Sequence, residues 1–222
     1  MSQTQWSGFC TSADDVDGGL YPWERRLYER VLHTSDRMLL VGCGAGRDLI
    51  ALRERGFNVT GLEQTPELVE LAREHLARRG LTGDVSTGFI ETWPLDGPYD
   101  AVVFSNCCYS YVHPSASRVA TLARIKSRLT PQGRVVILYT GLAHRSLLAA
   151  RLTGLATRLS GADWRPEPGD SFSRDYHSES VLRYEHVFLP GEVANECAEA
   201  GLRVIEEDVL EGPFWSAIAV SR

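Results

Sequence analysis

The chain has 222 residues, of which 43% are hydrophobic and 23% charged, with a formal net charge of −6. That length supports one sizeable core, and the balance is ordinary for a soluble globular protein. The acidic charge and lack of a basic run argue against a nucleic-acid partner, and no apolar run nears the roughly 18 residues of a membrane span.

Five cysteines, at positions 10, 43, 107, 108 and 197, are odd in number and have no Cys-x-x-Cys spacing. Neither a disulfide framework nor a zinc site is indicated, so a reducing, cytoplasmic setting is expected. The N-terminus carries no basic-then-apolar signal segment. Residues 1–19 are polar and acidic (Asp14, Asp15, Asp17) and are expected to be mobile.

Tyr21 to Leu32 predicts a helix with Pro22 in its first turn and Leu27, Val31 and Tyr28 facing inward. Met38-Leu39-Leu40-Val41 is a short buried strand, Gly42-Cys43-Gly44-Ala45-Gly46 a tight turn, and Asp48–Arg55 the following helix. Glycines let that turn take positive φ and let a ligand lie on it, while the helix N-terminus offers free N–H groups. Asn58–Glu63 predicts a second strand ending in a carboxylate, 21 positions after Gly42. A βαβ nucleotide unit places its ribose-binding acid at about that distance. The dinucleotide fingerprint wants its third Gly or Ala at the sixth position, which here is Arg47; the third glycine comes one residue early, at Gly46.

Thr65-Pro66 opens a helix that Gly80 closes, with His75 assigned to the helix surface. Asp84–Thr87 is a modest third strand, and Tyr99–Ser105 an almost continuous apolar run typical of a central parallel strand. Ser115–Leu129 is an amphipathic helix, and Pro131-Gln132-Gly133 turns it into a strand over Arg134–Tyr139. Strands alternating with helices predict an α/β, doubly wound, mostly parallel sheet. The alternation breaks between residues 141 and 190, which are too long for a plain connection and are read as an inserted cap or substrate lid. A helix over Pro190–Ala200 and strands over Leu202–Glu206 and Trp215–Val220 complete the chain.

The run Val41-Gly42-Cys43-Gly44-Ala45-Gly46, followed by Glu63, resembles motifs I and II of the class I S-adenosylmethionine (SAM)-dependent methyltransferases. The helix–Pro-x-Gly–strand ending and the last two strands also look like that family, over roughly residues 20–222. The resemblance implies a Rossmann-like seven-stranded sheet with an antiparallel edge hairpin, and SAM as cofactor. Gly42, Cys43, Gly44 and Gly46 would hold the methionine moiety, and Glu63 with Gln64 the ribose. Phe89 and Ile90 would bound adenine, although many members carry Asp where this chain has Phe89. Ser105 and Asn106 would floor the site near the methyl group, and Tyr21 and Trp23 would lie over the cleft.

An oxygen or nitrogen acceptor that must lose a proton needs a base, and His113 and His144 follow the fourth and fifth strands on the reactive rim. Tyr109, Tyr111, Tyr139 and His177 are candidates to line the acceptor pocket. No histidine has zinc-like spacing and no magnesium constellation is visible, so no metal is expected. The absent basic groove and the cap point to a small-molecule acceptor, methylated on O, N or C, with no membrane partner; the oligomeric state stays open. Two other readings remain, a dinucleotide-dependent oxidoreductase and a methyltransferase-fold protein that binds SAM without transferring methyl.

Overall fold

The computed structural model describes residues 16–141, 167–175 and 178–222. Helix α1 (Pro22–Val31) precedes β1 (Met38–Val41), α2 (Arg47–Glu54), β2 (Val59–Glu63), α3 (Pro66–Arg78), β3 (Val85–Thr87) and β4 (Tyr99–Phe104). A single 3₁₀ turn (Cys108–Tyr111), α4 (Ser115–Lys126) and β5 (Leu129–Thr140) follow. After them come β6 (Asp170–Asp175), β7 (Ser178–His186), α5 (Glu192–Glu199), β8 (Leu202–Glu211) and β9 (Phe214–Ser221).

Seven strands form one sheet in the order β3-β2-β1-β4-β5-β9-β8. The first five are parallel, and β9 runs antiparallel between β5 and β8. This is the expected doubly wound sheet with its antiparallel edge, and the apolar runs explain it. All four residues of β1 are buried, and successive side chains alternate between faces. Met38 and Leu40 enter one core with residues of α1, α2 and α3. Leu39 and Val41 enter the other, with Leu122 and Ile125 of α4 and Val193 and Cys197 of α5. Strands β6 and β7 pair antiparallel as a separate ribbon within the expected cap.

Two local expectations are corrected. Strand β5 begins at Leu129, which pairs with Tyr99; the register then shifts past Pro131-Gln132-Gly133 and resumes at Ala101↔Arg134. His75, assigned to the helix surface, is buried at 3% exposure, with Nδ1 3.0 Å from the Ala45 carbonyl oxygen. It shares the apolar stripe of Leu68, Ala72 and Leu76, and one hydrogen bond into the glycine turn makes that burial tolerable.

Candidate functional site

The carboxyl ends of β1, β2 and β4 open into a cleft of about 980 Å³, counting its open mouth. In open α/β sheets this is where the strand order reverses and ligands bind. Ten of the residues singled out from the sequence line it: Gly42, Cys43, Gly44, Glu63, Gln64, Phe89, Ile90, Ser105, Asn106 and Tyr111.

The floor is a backbone turn locked from one side. Gly42, Gly44 and Gly46 all have positive φ, at 73°, 54° and 99°. A Cβ on Gly42 would lie 2.6 Å from Cys108 Cβ, whereas a Cβ on Gly44 would meet nothing within 4 Å. Gly42 is therefore glycine for packing, and Gly44 borders open space where a ligand would lie. Gly46 does not line the cleft; it caps α2 and lets α3 approach, since its Cβ would sit 3.3 Å from Ala72 Cβ. Ser105 Oγ donates to the Gly42 carbonyl at 2.9 Å and Cys108 Sγ to the Val41 carbonyl at 3.0 Å, tying the end of β4 to the turn. Between them Asn106 and Cys107 both take left-handed backbone, φ 42° and 61°. Non-glycine residues adopt that conformation at a cost of about 1 kcal/mol or more each, and it tends to mark functional sites.

Glu63, at 7% exposure, reaches from β2 across the turn. One carboxylate oxygen accepts the Gly44 N–H at 3.1 Å and the other the Thr65 N–H at 3.0 Å. Each oxygen keeps lone-pair capacity toward the cleft. Burial raises the Glu63 carboxyl above its ordinary pKa, opposed by the N–H groups of Thr65 and Gly44. Beyond Glu63, the 88–93 loop is shaped from below by Arg124 of α4, whose guanidinium donates to the carbonyls of Ile90 (2.9 Å), Glu91 (2.6 Å) and Trp93 (2.5 Å). Phe89 is left 41% exposed at the mouth and Ile90 is buried against the floor.

Helix α1 flanks the turn, though its two aromatics are placed differently. Trp23 is 5% exposed and stacks on Phe214, while Tyr21 is 51% exposed and stacks on Trp23, with the Arg47 guanidinium 4.5 Å from its ring centroid. Neither lines the cleft. Behind Tyr21 is a charge cluster that sequence reading missed. Arg47 donates to Glu24 at 2.5 Å and to Asp48 at 2.7 Å, and Tyr28 OH to Asp48 at 3.3 Å. Glu24 is fully buried. That burial and the neighbouring Asp48 charge push its carboxyl up to about 8, against the pull of Arg47. The available signal was Arg47 itself, a cation directly after the last glycine.

Beside the cleft, α4 and α5 are joined by a second cluster. Arg118 of α4 is completely buried. Its Nε donates to both oxygens of Glu196 (2.9 and 3.1 Å), its Nη1 to the Val112 carbonyl (3.1 Å) and its Nη2 to Glu167 (3.2 Å). Tyr109 and Tyr139, expected in the acceptor pocket, are buried beside this cluster. Tyr109 OH donates to Glu196 and its ring stacks on Phe188 at 5.4 Å; Tyr139 OH donates to Glu207 at 2.7 Å. His113 is not among the cleft-lining residues; its Nε2 lies 3.7 Å from Asp170 Oδ2 and its ring meets Tyr184 edge-on. His144 and His177 lie outside the described residues.

Residues 38–133 match the family model described as a methyltransferase domain. The chain resembles a SAM-dependent methyltransferase structure from Methanosarcina mazei, with TM-score 0.74 at 19% identity, covering 92% of this chain and 100% of that one. The family match thus covers the methyltransferase-type part of the chain, just under half of its length, and the structural likeness shows the fold of SAM-dependent methyltransferases. Among curated relatives, a protein-L-isoaspartate O-methyltransferase of Methanoculleus marisnigri is 30% identical over 46% of this chain and 47% of its own length. A ubiquinone biosynthesis O-methyltransferase of Actinobacillus pleuropneumoniae is 25% identical over 81% of this chain and 73% of its own. The chain spans about half the length of the first curated relatives it matches. Among the described residues no helix is long and apolar enough to cross a membrane.

Proposed function

We propose that the protein transfers the methyl group of SAM to an oxygen, nitrogen or carbon atom of a small-molecule acceptor, such as a metabolite or natural product. The observation that carries this reading is the buried Glu63 carboxylate, held between the Gly44 and Thr65 N–H groups at the edge of an open glycine cradle. A dinucleotide would bring a pyrophosphate to that turn, and Glu63, Asp48 and the raised Glu24 leave Arg47 as the nearest cation for it. The donor set fits an uncharged sugar better.

When bound, SAM supplies a sulfonium-activated methyl group for in-line displacement, leaving a neutral thioether. The chain's part is to hold and to exclude water. Gly42 and Gly44, with Cys43 between them, present backbone to the amino-acid end, and Glu63 with Gln64 accepts the ribose hydroxyls. Phe89 and Ile90 bound the base, with the Phe89 ring in place of a carboxylate. Ser105 and Asn106, the latter on left-handed backbone, set the floor below the methyl position. The acceptor enters past Tyr111 and Val112, under the 141–190 segment acting as cap. The described lining offers the carboxylates Asp48, Glu63 and Glu91 but no histidine. Of the base candidates, His113 is turned away from this lining toward Asp170, and His144 lies outside the described residues. The two O-methylating relatives, one acting in ubiquinone biosynthesis and the other on protein isoaspartate, differ in acceptor; the acidic net charge and the cap favour the small molecule.

Titration calorimetry with SAM, S-adenosylhomocysteine and NADH tests the cofactor, and labelled-methyl transfer to a metabolite panel tests the reaction. Binding of NADH without binding of either adenosyl compound would overturn the proposal.

A further inference from the structure

A second group of ligand-type side chains lies behind the acceptor rim, independent of the SAM reading. His113 after β4, Glu167 just before β6 and Asp170 at its start each offer one donor atom, all three atoms lying within 4.8 Å of one another. Asp170 is 1% exposed and His113 14%. The separation of His113 Nε2 and Asp170 Oδ2, 3.7 Å, is too long for a hydrogen bond. It is the span of two ligands sharing one ion: with bonds of ~2.1 Å a 3.7 Å separation subtends about 120°.

The charges around these atoms are unbalanced. Glu167, Glu192 and Glu196 converge on the single Arg118 guanidinium, and Asp170 and Glu192 on His186. Among the described residues, counting His186 as a cation, four carboxylates face two positive groups, a costly excess in a largely buried place. A divalent cation brings the cluster to neutrality. The carboxylates already have the outer partners that ligating groups need. Asp170 accepts from Tyr184 OH (2.7 Å) and the Glu167 N–H (2.7 Å) and meets His186 Nδ1 at 2.8 Å. Glu167 accepts the Ser115 N–H at 2.9 Å.

We propose that His113, Glu167 and Asp170 bind one divalent transition-metal ion of the zinc type, fastening the start of the β6–β7 ribbon to the rim beside Val112. One imidazole with two carboxylates suits zinc or manganese rather than magnesium or calcium, which prefer all-oxygen sets.

The test uses the full-length, tag-free protein stripped with EDTA and titrated with Zn²⁺ and Co²⁺ by calorimetry and absorbance. One ion per chain is expected, with a Co²⁺ spectrum free of thiolate charge-transfer bands. His113→Ala should weaken binding at least tenfold while its melting temperature in the metal-free state stays within about 3 °C of the parent. Asp170→Asn should also weaken it; because Asp170 supports Tyr184 and His186, His113→Ala carries the decision. Zn²⁺ should raise the parent's melting temperature and leave that of His113→Ala unmoved. Binding unchanged in His113→Ala, thiolate bands with Co²⁺, or no binding by the parent would each overturn the proposal.

Discussion

The cleft and the region beside it are built by different means. The glycine side, from β1 to β3, is shaped by backbone: a glycine turn, a helix start and one carboxylate held by two N–H groups. The α4–α5 side is shaped by charged side chains that cross between elements far apart in the chain, with Arg118 bonded to Glu196, 78 residues on. A backbone cradle depends on local residues and tolerates little change of size. A side-chain network depends on complete pairing and fails when one member is lost.

Breaking the network should have the largest effect. Arg118→Met leaves Glu196 buried and Glu167 half-buried without their cation and should cost about 3–5 kcal/mol of stability in urea unfolding. Stability lost by less than 1 kcal/mol would show that the α4–α5 side does not depend on the pairing. On the glycine side, Gly42→Ala drives a methyl into Cys108 at positive φ and should destabilise by ~2 kcal/mol or more. Gly44→Ala meets only open space, so it should cost only the ~1 kcal/mol of left-handed backbone while weakening SAM binding; equal effects at the two glycines would erase the distinction between packing and cradle. Glu63→Ala should weaken SAM binding more than tenfold with little change in melting temperature, because it leaves two ribose hydroxyls without an acceptor. Calorimetry decides both.

A smaller effect should appear with pH. Burial raises Glu24 from an unfolded value near 4.5 to about 8. Its contribution is therefore fully present below pH 4.5 and is lost as pH rises through 8. Stability measured from pH 5 to 9 should decline on this account, and Glu24→Gln should flatten the decline. The smallest effect belongs to Arg30–Glu206, a bidentate pair joining α1 to β8 at the surface. Arg30→Ala should change stability by less than ~1 kcal/mol.

What could be read in advance follows the same division. Strand β1, the turn and Glu63 are contiguous or separated by one βαβ unit, so spacing alone brings them together. Apolar periodicity likewise gave the sheet its strands. The Arg118 network left no such trace, because its partners lie 49 to 78 residues away and each alone is an ordinary surface-type residue. His75 was misread for a related reason: a polar residue on an apolar stripe looks exposed until the Ala45 carbonyl that receives it is known. Trp23 and Tyr109 show the converse, aromatics near a cleft whose rings are taken up by Phe214 and Phe188.

Strand β9 lies between β5 and β8, although it is the last of the three to be synthesised. Until residues 214–221 leave the ribosome, β5 presents a bare edge and β8 has nothing to pair with. The nascent protein thus carries its nucleotide-facing half finished beside an open, adhesive border, and shielding that border falls to whatever attends translation.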